Sequence, residues 1–336
     1  MTDQSPIIIK DRIFGEFTIS EPVLIDLIHS EAVQRLHHIY QHGVSALVDV
    51  SPVTTRYEHS IGVFLLTRMM GADLHEQIAA LLHDVSHTVF SHVIDHVFEQ
   101  EDTQGYHEEH KTPFIENSDI PAILSNHGFN WKDYLDETRF TLLEQSAPDL
   151  CADRIDYSLR DAVDRNLIPR KTIDQIIADF KNHQGKIVMQ TPALAKQLAL
   201  AYQTADDTSW CNFDEVGLYE LTAHAIRLAL EKKLINQKDL WSSDRLFWDK
   251  LNTFEAHEIK QIIPFIAKNT IYREDQESPH YSVSPKIRTI DPPILLNGAV
   301  KNLSQLDEDY KQHRLAYIDK KSGVMNIRVE GLPPFN

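Results

Sequence analysis

The chain has 336 residues, 42% of them hydrophobic and 25% charged, which suits one large domain with its own core and a modest appendage. Its 50 acidic and 33 basic residues give a formal net charge of −17, a field that repels phosphate backbones and argues against bulk nucleic-acid binding. A small anionic substrate remains compatible with that charge, provided a metal ion or an arginine cluster inverts the sign in one cleft.

In chain order, Ser20-Glu-Pro22 opens a helix, with a capping residue and proline in the first turn. Val23, Ile25, Leu27 and Ile28, then Val33, Leu36, Ile39 and Tyr40, continue at helical spacing to near Gly43. Further helices are expected over 57–70, 74–85, 88–98, 107–116, 133–145, 148–164, 171–181, 192–204, 213–234 and 255–268. After about Ile271 the character changes, and six of the fifteen prolines lie from Pro279 onward. Tyr281–Ile290 and Leu315–Val329 carry short β-branched segments, and His313–Asp319 with Val324–Glu330, joined through Lys320–Gly323, predict a hairpin. The expected organisation is a helical body over 1–270 and a small strand-containing region over 271–336, packed on the body.

Several function classes drop out. No two of the eleven glycines are closer than eight residues, so neither G-x-G-x-x-G, a Walker A loop nor G-x-S-x-G can be written. Cys151 and Cys211 are too few for a disulfide framework or a cysteine zinc site. The polar start, Met1 to Arg12, lacks a secretory h-region, and no run reaches the roughly 18 apolar residues of a membrane span. A soluble, cytoplasmic protein without a membrane partner is therefore expected. Histidine is the anomaly: of 18, twelve fall between His29 and His110, where metal or acid–base chemistry is to be sought.

The informative stretches are Arg56-Tyr-Glu-His59, Leu81-Leu-His83-Asp84-Val-Ser-His87 with His92 and Asp95, and Ala152-Asp153-Arg154-Ile-Asp156-Tyr157. A helix carrying His83 and His87 one turn apart places both imidazoles on one face. Asp84 projects about 100° away, so one ion takes His83 and Asp84 together only from a helix end or edge. His59 and Asp153 would complete a site of two histidines and two carboxylates, a donor set for Mn, Fe, Co, Ni or Zn with open positions for water and substrate. The plainer alternative is chance polar placement. Leu81 and Leu82 oppose it, because they turn this point inward, where an unpaired aspartate is costly.

This ordered set resembles the HD superfamily of metal-dependent phosphohydrolases, and within it the branch of deoxynucleoside triphosphate triphosphohydrolases. Ile13-Phe-Gly-Glu-Phe17, Gln34-Arg-Leu36, Gln41-His-Gly43, Thr55-Arg-Tyr-Glu-His-Ser60, Tyr106-His107-Glu108 and Asp153-Arg-Ile-Asp-Tyr157 follow in the branch's order. The resemblance implies a mainly helical, all-α HD-domain fold. It also implies one divalent metal (Mn, Fe, Zn, Ni, Co or Mg) on His59, His83, Asp84 and Asp153. His87 and Asp95 would stand beside the reacting phosphorus, with His107 as general acid. Gln41, Arg56, His92, Arg154, Tyr157 and Asp161 would hold phosphates, sugar or base of a small nucleotide. Many relatives are oligomers, so a homo-oligomer is a further expectation that no segment establishes. The chain departs from the family pattern at Ser86, Thr88 and Val89, where two glycines and a proline are usual, at His42 in place of leucine, and at Arg154 in place of lysine. The ligands survive these changes while the pocket wall differs. The activities that follow are hydrolysis of a deoxynucleoside triphosphate at its α-phosphate, a phosphomonoesterase on nucleoside monophosphates or another small ester, or a nucleotide sensor without turnover.

Overall fold

A computed structural model describes residues 5–100, 104–284 and 286–334. Helices dominate. Arg56–Met69, Ala152–Asp164, Pro192–Ala205 and Phe213–Glu231 are the long ones around the region of interest. Leu74–Leu82 is shorter and packs along Arg56–Met69, which also packs on Ala152–Asp164. No helix of the described residues is long and apolar enough to cross a membrane.

Local capping explains where these helices begin. Thr55 and Glu58 form a reciprocal capping box at the start of Arg56–Met69, which satisfies two of its free N–H groups. Asp73 accepts from Glu76 N at the head of Leu74–Leu82, and Asn212 from Glu215 N at the head of Phe213–Glu231.

The all-α expectation needs correction. Strands form four small antiparallel sheets among the described residues: Ile7–Asp11 with Gly15–Ile19, Lys181–His183 with Lys186–Val188, Pro293–Leu296 with Ala299–Asn302, and Met325–Val329 between Tyr272–Glu274 and Tyr281–Val283. Among its described residues, Tyr281–Ile290 is thus strand only over its first three. The expected 313–330 hairpin is also replaced, because Glu308–Lys321 is a helix. Asp307 caps it, Tyr310 and Tyr317 seven residues apart form its buried face, and Lys320 and Lys321 sit in its last turn, where cations are favoured.

Other differences have equally local causes. Over 133–145 side chains compete with the helix: Asn130 and Asp136 accept from Lys132 N and Thr138 N, which leaves two short 3₁₀ turns. The 22–43 pattern breaks where Ser30 caps a new turn by accepting from Val33 N. The expected 88–98 helix shrinks to Val93–Val97. Phe90 and Ser91 have φ of 57° and 49°, a left-handed conformation that bulky residues keep only when held from outside.

The core divides into two apolar clusters. One gathers the apolar faces of 56–82 and 152–163 with Ile290, Ile294 and Tyr310. The other gathers 216–229 with Val89, Phe90, Val93, Tyr272, Tyr281, Ile327 and Val329. Val85 belongs to the first and Val89 to the second, so Ser86-His87-Thr88 cross the junction between them. Residues after 270 feed both clusters.

Candidate active site

The Leu74–Leu82 helix ends one residue before the HD pair, and His83 is its C-terminal cap. Val85 N donates to Leu82 O and His87 N to Asp84 O, at 3.2 and 3.0 Å. His87 is therefore carried by tight turns rather than by the helix of His83, which corrects the expectation of one shared helix face. The turn is braced from outside. Arg35 Nη2 donates to the carbonyls of Val85 (3.1 Å) and His87 (2.5 Å), and its guanidinium lies 5.0 Å from the Phe114 ring centroid, a cation–π distance. Asp244, fully buried, accepts from Phe90 N and Tyr40 N, both at 2.8 Å, which fixes the left-handed bend. Gly43 packs directly on this bend at φ +52°, where a Cβ would overlap the Phe90 carbonyl.

His59, His83, Asp84 and Asp153 converge. His59 Nε2 lies 2.9 Å from Asp153 Oδ1 and 3.5 Å from Asp84 Oδ2. His83 Nε2 lies 3.6 Å from Asp84 Oδ1, 3.7 Å from Asp153 Oδ1 and 3.2 Å from His59 Nε2. His59, His83 and Asp84 are all buried. Hydrogen bonding fixes the tautomers, because the other nitrogen of each ring faces a group that can only accept. His59 Nδ1 meets Asp156 Oδ2 at 2.7 Å, and His83 Nδ1 meets the Ala80 carbonyl at 2.8 Å. With the rings neutral, both Nε2 atoms present lone pairs to the same point as two carboxylates, a donor set suited to a cation, whose place a proton on the imidazoles takes when no metal is held.

The local field agrees. Burial opposes charge on His83, but Asp84 and Asp153 outweigh it and push the imidazole up to about 10. Burial likewise opposes ionisation of Asp84, yet Arg56, His83 and His87 hold its carboxyl well below the usual carboxylate range. Arg56 supplies only one positive charge, its Nη1 donating to Asp84 Oδ2 at 2.6 Å, against the two acids. These residues fit a divalent metal ion held by mixed imidazole and carboxylate ligands.

A strut of charge supports this cage. Arg160 donates to both Asp156 oxygens, at 2.8 and 2.9 Å, and to Asp11 Oδ2 at 2.7 Å, and Arg160 and Asp156 are buried. Gly62 makes room for it: a Cβ there would overlap the Asp156 carboxylate and the Arg160 guanidinium. Gly62→Ala is expected to cost about 3 kcal/mol through this overpacking, more than the roughly 1 kcal/mol alanine normally gains in a helix. By dislodging Asp156 from His59 it should also weaken metal affinity about 10- to 100-fold. Urea unfolding and metal titration check both effects, and an unshifted midpoint with unchanged affinity would contradict the strut.

Beside the cage stand three histidines. His87 Nε2 is 3.2 Å from Asp84 Oδ1, and its ring stacks on His107 with centroids 3.9 Å apart and planes 16° apart. His92 meets His87 edge-on at 5.2 Å. Burial, with Arg56 and His107 adding repulsion, holds His87 and His92 well below the usual imidazole range. His107 Nε2 lies 3.2 Å from Glu108 Oε1, while its Nδ1 is buried without a partner among the described residues, as is Arg56 Nη2. Asp95 stands behind this wall: one oxygen holds His92 Nδ1 at 2.8 Å and the other accepts from Tyr106 N at 2.9 Å.

The cage opens into a cavity of about 600 Å³, lined among others by Gln41, Arg56, His92, His107, Arg154, Tyr157 and Asp161. Within it, Tyr157 O–H pairs with Tyr202 O–H at 2.5 Å. Asp161 is already engaged, by His42 Nε2 at 2.8 Å and Trp210 Nε1 at 2.5 Å. Arg154 Nη1 donates to the carbonyls of Gln145 (3.2 Å) and Asp149 (2.7 Å). His42, noted in the sequence as a change to the pocket wall, does line it; the sequence reading missed Tyr202, Trp210, Glu215 and Tyr219, and, from the C-terminal region, Lys286, Arg288 and Arg314. The only signal for the last three is a scatter of basic residues in a weakly patterned stretch.

Residues 56–161 match the HD domain. The chain is 37% identical over 306 residues to metal-dependent phosphohydrolase cns2 of Cordyceps militaris, spanning 89% of this chain and 88% of that protein. It is 29% identical over 173 residues to deoxynucleoside triphosphate triphosphohydrolase SAMHD1 of Danio rerio, covering 45% of this chain and 27% of that one. A solved phosphohydrolase from Bacteroides thetaiotaomicron shares the fold, with a TM-score of 0.69 at 18% identity over 90% of this chain and 94% of that one. A buried cage of histidines and aspartates on this fold, together with near-full-length similarity to a named metal-dependent phosphohydrolase, makes the chain a hydrolase that belongs to the HD-domain family of metal-dependent phosphohydrolases.

Proposed function

We propose that this hydrolase cleaves nucleotides at phosphorus, and most specifically that it converts a deoxynucleoside triphosphate to deoxynucleoside and triphosphate by attack at the α-phosphate. The observation that carries the reading is the metal cage opening directly into a cavity with cations beside the cage and a wall of Tyr157, Tyr202 and Trp210. The partial similarity to SAMHD1 supports the triphosphate version.

In this reading His59, His83, Asp84 and Asp153 hold the metal, which when bound supplies a water of lowered pKa and withdraws charge from a phosphoryl oxygen. Arg56 keeps Nη1 on Asp84 and offers Nη2 to a phosphoryl oxygen, a charge-assisted bond. His107 delivers a proton to the leaving oxygen from Nδ1. Burial and the nearby Arg56 hold its stacked neighbour His87 well below the usual imidazole range. Asp95 acts through His92 as a positioning residue. Gln41, Tyr157 and Asp161 with its partner His42 face the sugar and base, and Arg154 faces the phosphates.

A phosphomonoesterase acting on nucleoside monophosphates is the second reading. Glu108, Glu137 and Glu144 also line the cavity, and their charge disfavours additional phosphates. Burial and the nearby Asp153 push Glu144 up to about 7, which weakens that objection.

Incubation of the purified protein with a nucleotide panel and Mn²⁺ or Mg²⁺ tests the proposal. Intact triphosphate as product is the expected result. Orthophosphate from monophosphates alone would select the esterase, and nucleotide bound but never consumed would defeat both enzymatic readings in favour of a sensor.

A further inference from the structure

We propose that the strap of residues 286–289, with Arg314 behind it, is the subsite for the phosphates beyond the one attacked, and so sets how many phosphates the substrate carries. The proposal rests on the nucleotide reading above and goes past it by assigning phosphate counting to residues outside the HD-domain match at 56–161. Lys286, Arg288 and Arg314 line the same cavity as Asp84 and Asp153.

The strap is built rather than loose. Arg288 N–H donates to Asp206 Oδ2 at 3.2 Å, and the same oxygen accepts from Tyr317 O–H at 2.8 Å. Asp206 is wholly buried. The Ile290 carbonyl accepts from Tyr310 O–H, and Arg314 Nε donates to Thr289 Oγ1 at 3.0 Å. The backbone is thus pinned to the Glu308–Lys321 helix and to the end of Pro192–Ala205. The Arg288 guanidinium bonds Gln104 and the Lys286 carbonyl, neutral groups that orient it without neutralising it. Its carboxylate neighbour, Asp206 Oδ1, stands 4.0 Å away.

The charge pattern explains what such a strap would bind. Lys286, Arg288 and Arg314 line one cavity of a chain whose net charge is −17, and burial with the neighbouring Arg288 and Arg154 guanidiniums pulls the Lys286 ammonium below its ordinary range against the opposing pull of Asp153 and Asp95. A cluster of mutually repelling cations is relieved by a polyanion that bridges them. The metal and Arg56 serve the attacked phosphorus, and the strap's cations serve a terminal polyphosphate.

The test uses the metal-loaded full chain and inorganic triphosphate, followed by calorimetry, with orthophosphate as the comparison. Wild type should bind triphosphate more tightly than orthophosphate. Arg288→Gln and Lys286→Ala should each weaken triphosphate about 10-fold or more, with orthophosphate affinity and metal content unchanged. Triphosphate binding unaltered by both variants, equal weakening of the two anions, or no wild-type preference for triphosphate would each overturn the proposal. Should Arg288→Gln fail to fold, Lys286→Ala decides alone. Because binding is read without turnover, a wild type that grips triphosphate through the strap yet cleaves no nucleotide would refute the catalytic reading and leave the subsite standing.

Discussion

Asp84→Asn is expected to abolish metal binding and to cut turnover by at least about 10³-fold. The two side chains have nearly the same volume, so packing at this buried position survives while one charge disappears. With Asp84 ionised, the cage holds two carboxylates against the Arg56 guanidinium. Without that charge, Asp153 alone faces Arg56, and the attraction for an incoming divalent ion falls sharply. A unit charge about 4 Å away is worth about 4 kcal/mol at the effective dielectric of a protein site, and each 1.36 kcal/mol is a factor of ten in rate. Elemental analysis and steady-state rates check this, with thermal unfolding as the control for folding. Full metal content in the variant would contradict the cage.

His107→Ala is expected to separate the two functions that Asp84→Asn removes together. His107 reaches Glu108 and stacks on His87; a ring nitrogen lies within 4.8 Å of an Asp84 oxygen, but it makes none of the short contacts within the His59–His83–Asp153 group. Metal content should therefore stay at the wild-type level while kcat falls about 10²- to 10⁴-fold, the range for loss of a general acid. A substrate with a better leaving group should recover part of the loss, because it needs less protonation. An unchanged kcat, or metal lost with the side chain, would show that His107 acts otherwise.

Much of this site was legible because its chemistry is local. A leucine pair before His83-Asp84 turns the pair inward, and a threonine-capped helix start places His59 in the first turn of its helix. The helix end at Leu82 is what lets His83 and Asp84 face a common point. What stayed hidden depends on tertiary partners. Nothing in the spacing distinguishes Asp156 from a solvated aspartate until Arg160 and Asp11 appear around it. Nor does local pattern show that Asp244 holds the Phe90 bend from 154 residues away. The C-terminal helix was misread because Leu315, Tyr317 and Asp319 alternate over a short window, whereas its buried residues, Tyr310 and Tyr317, are two helical turns apart. That misreading also hid Arg314, which reaches the cavity only as part of a helix.

The most direct test is anomalous diffraction from crystals grown with Mn²⁺. One strong peak is expected within bonding distance of His59 Nε2, His83 Nε2, Asp84 and Asp153. A peak held by other residues, or none at saturating metal, would contradict the cage.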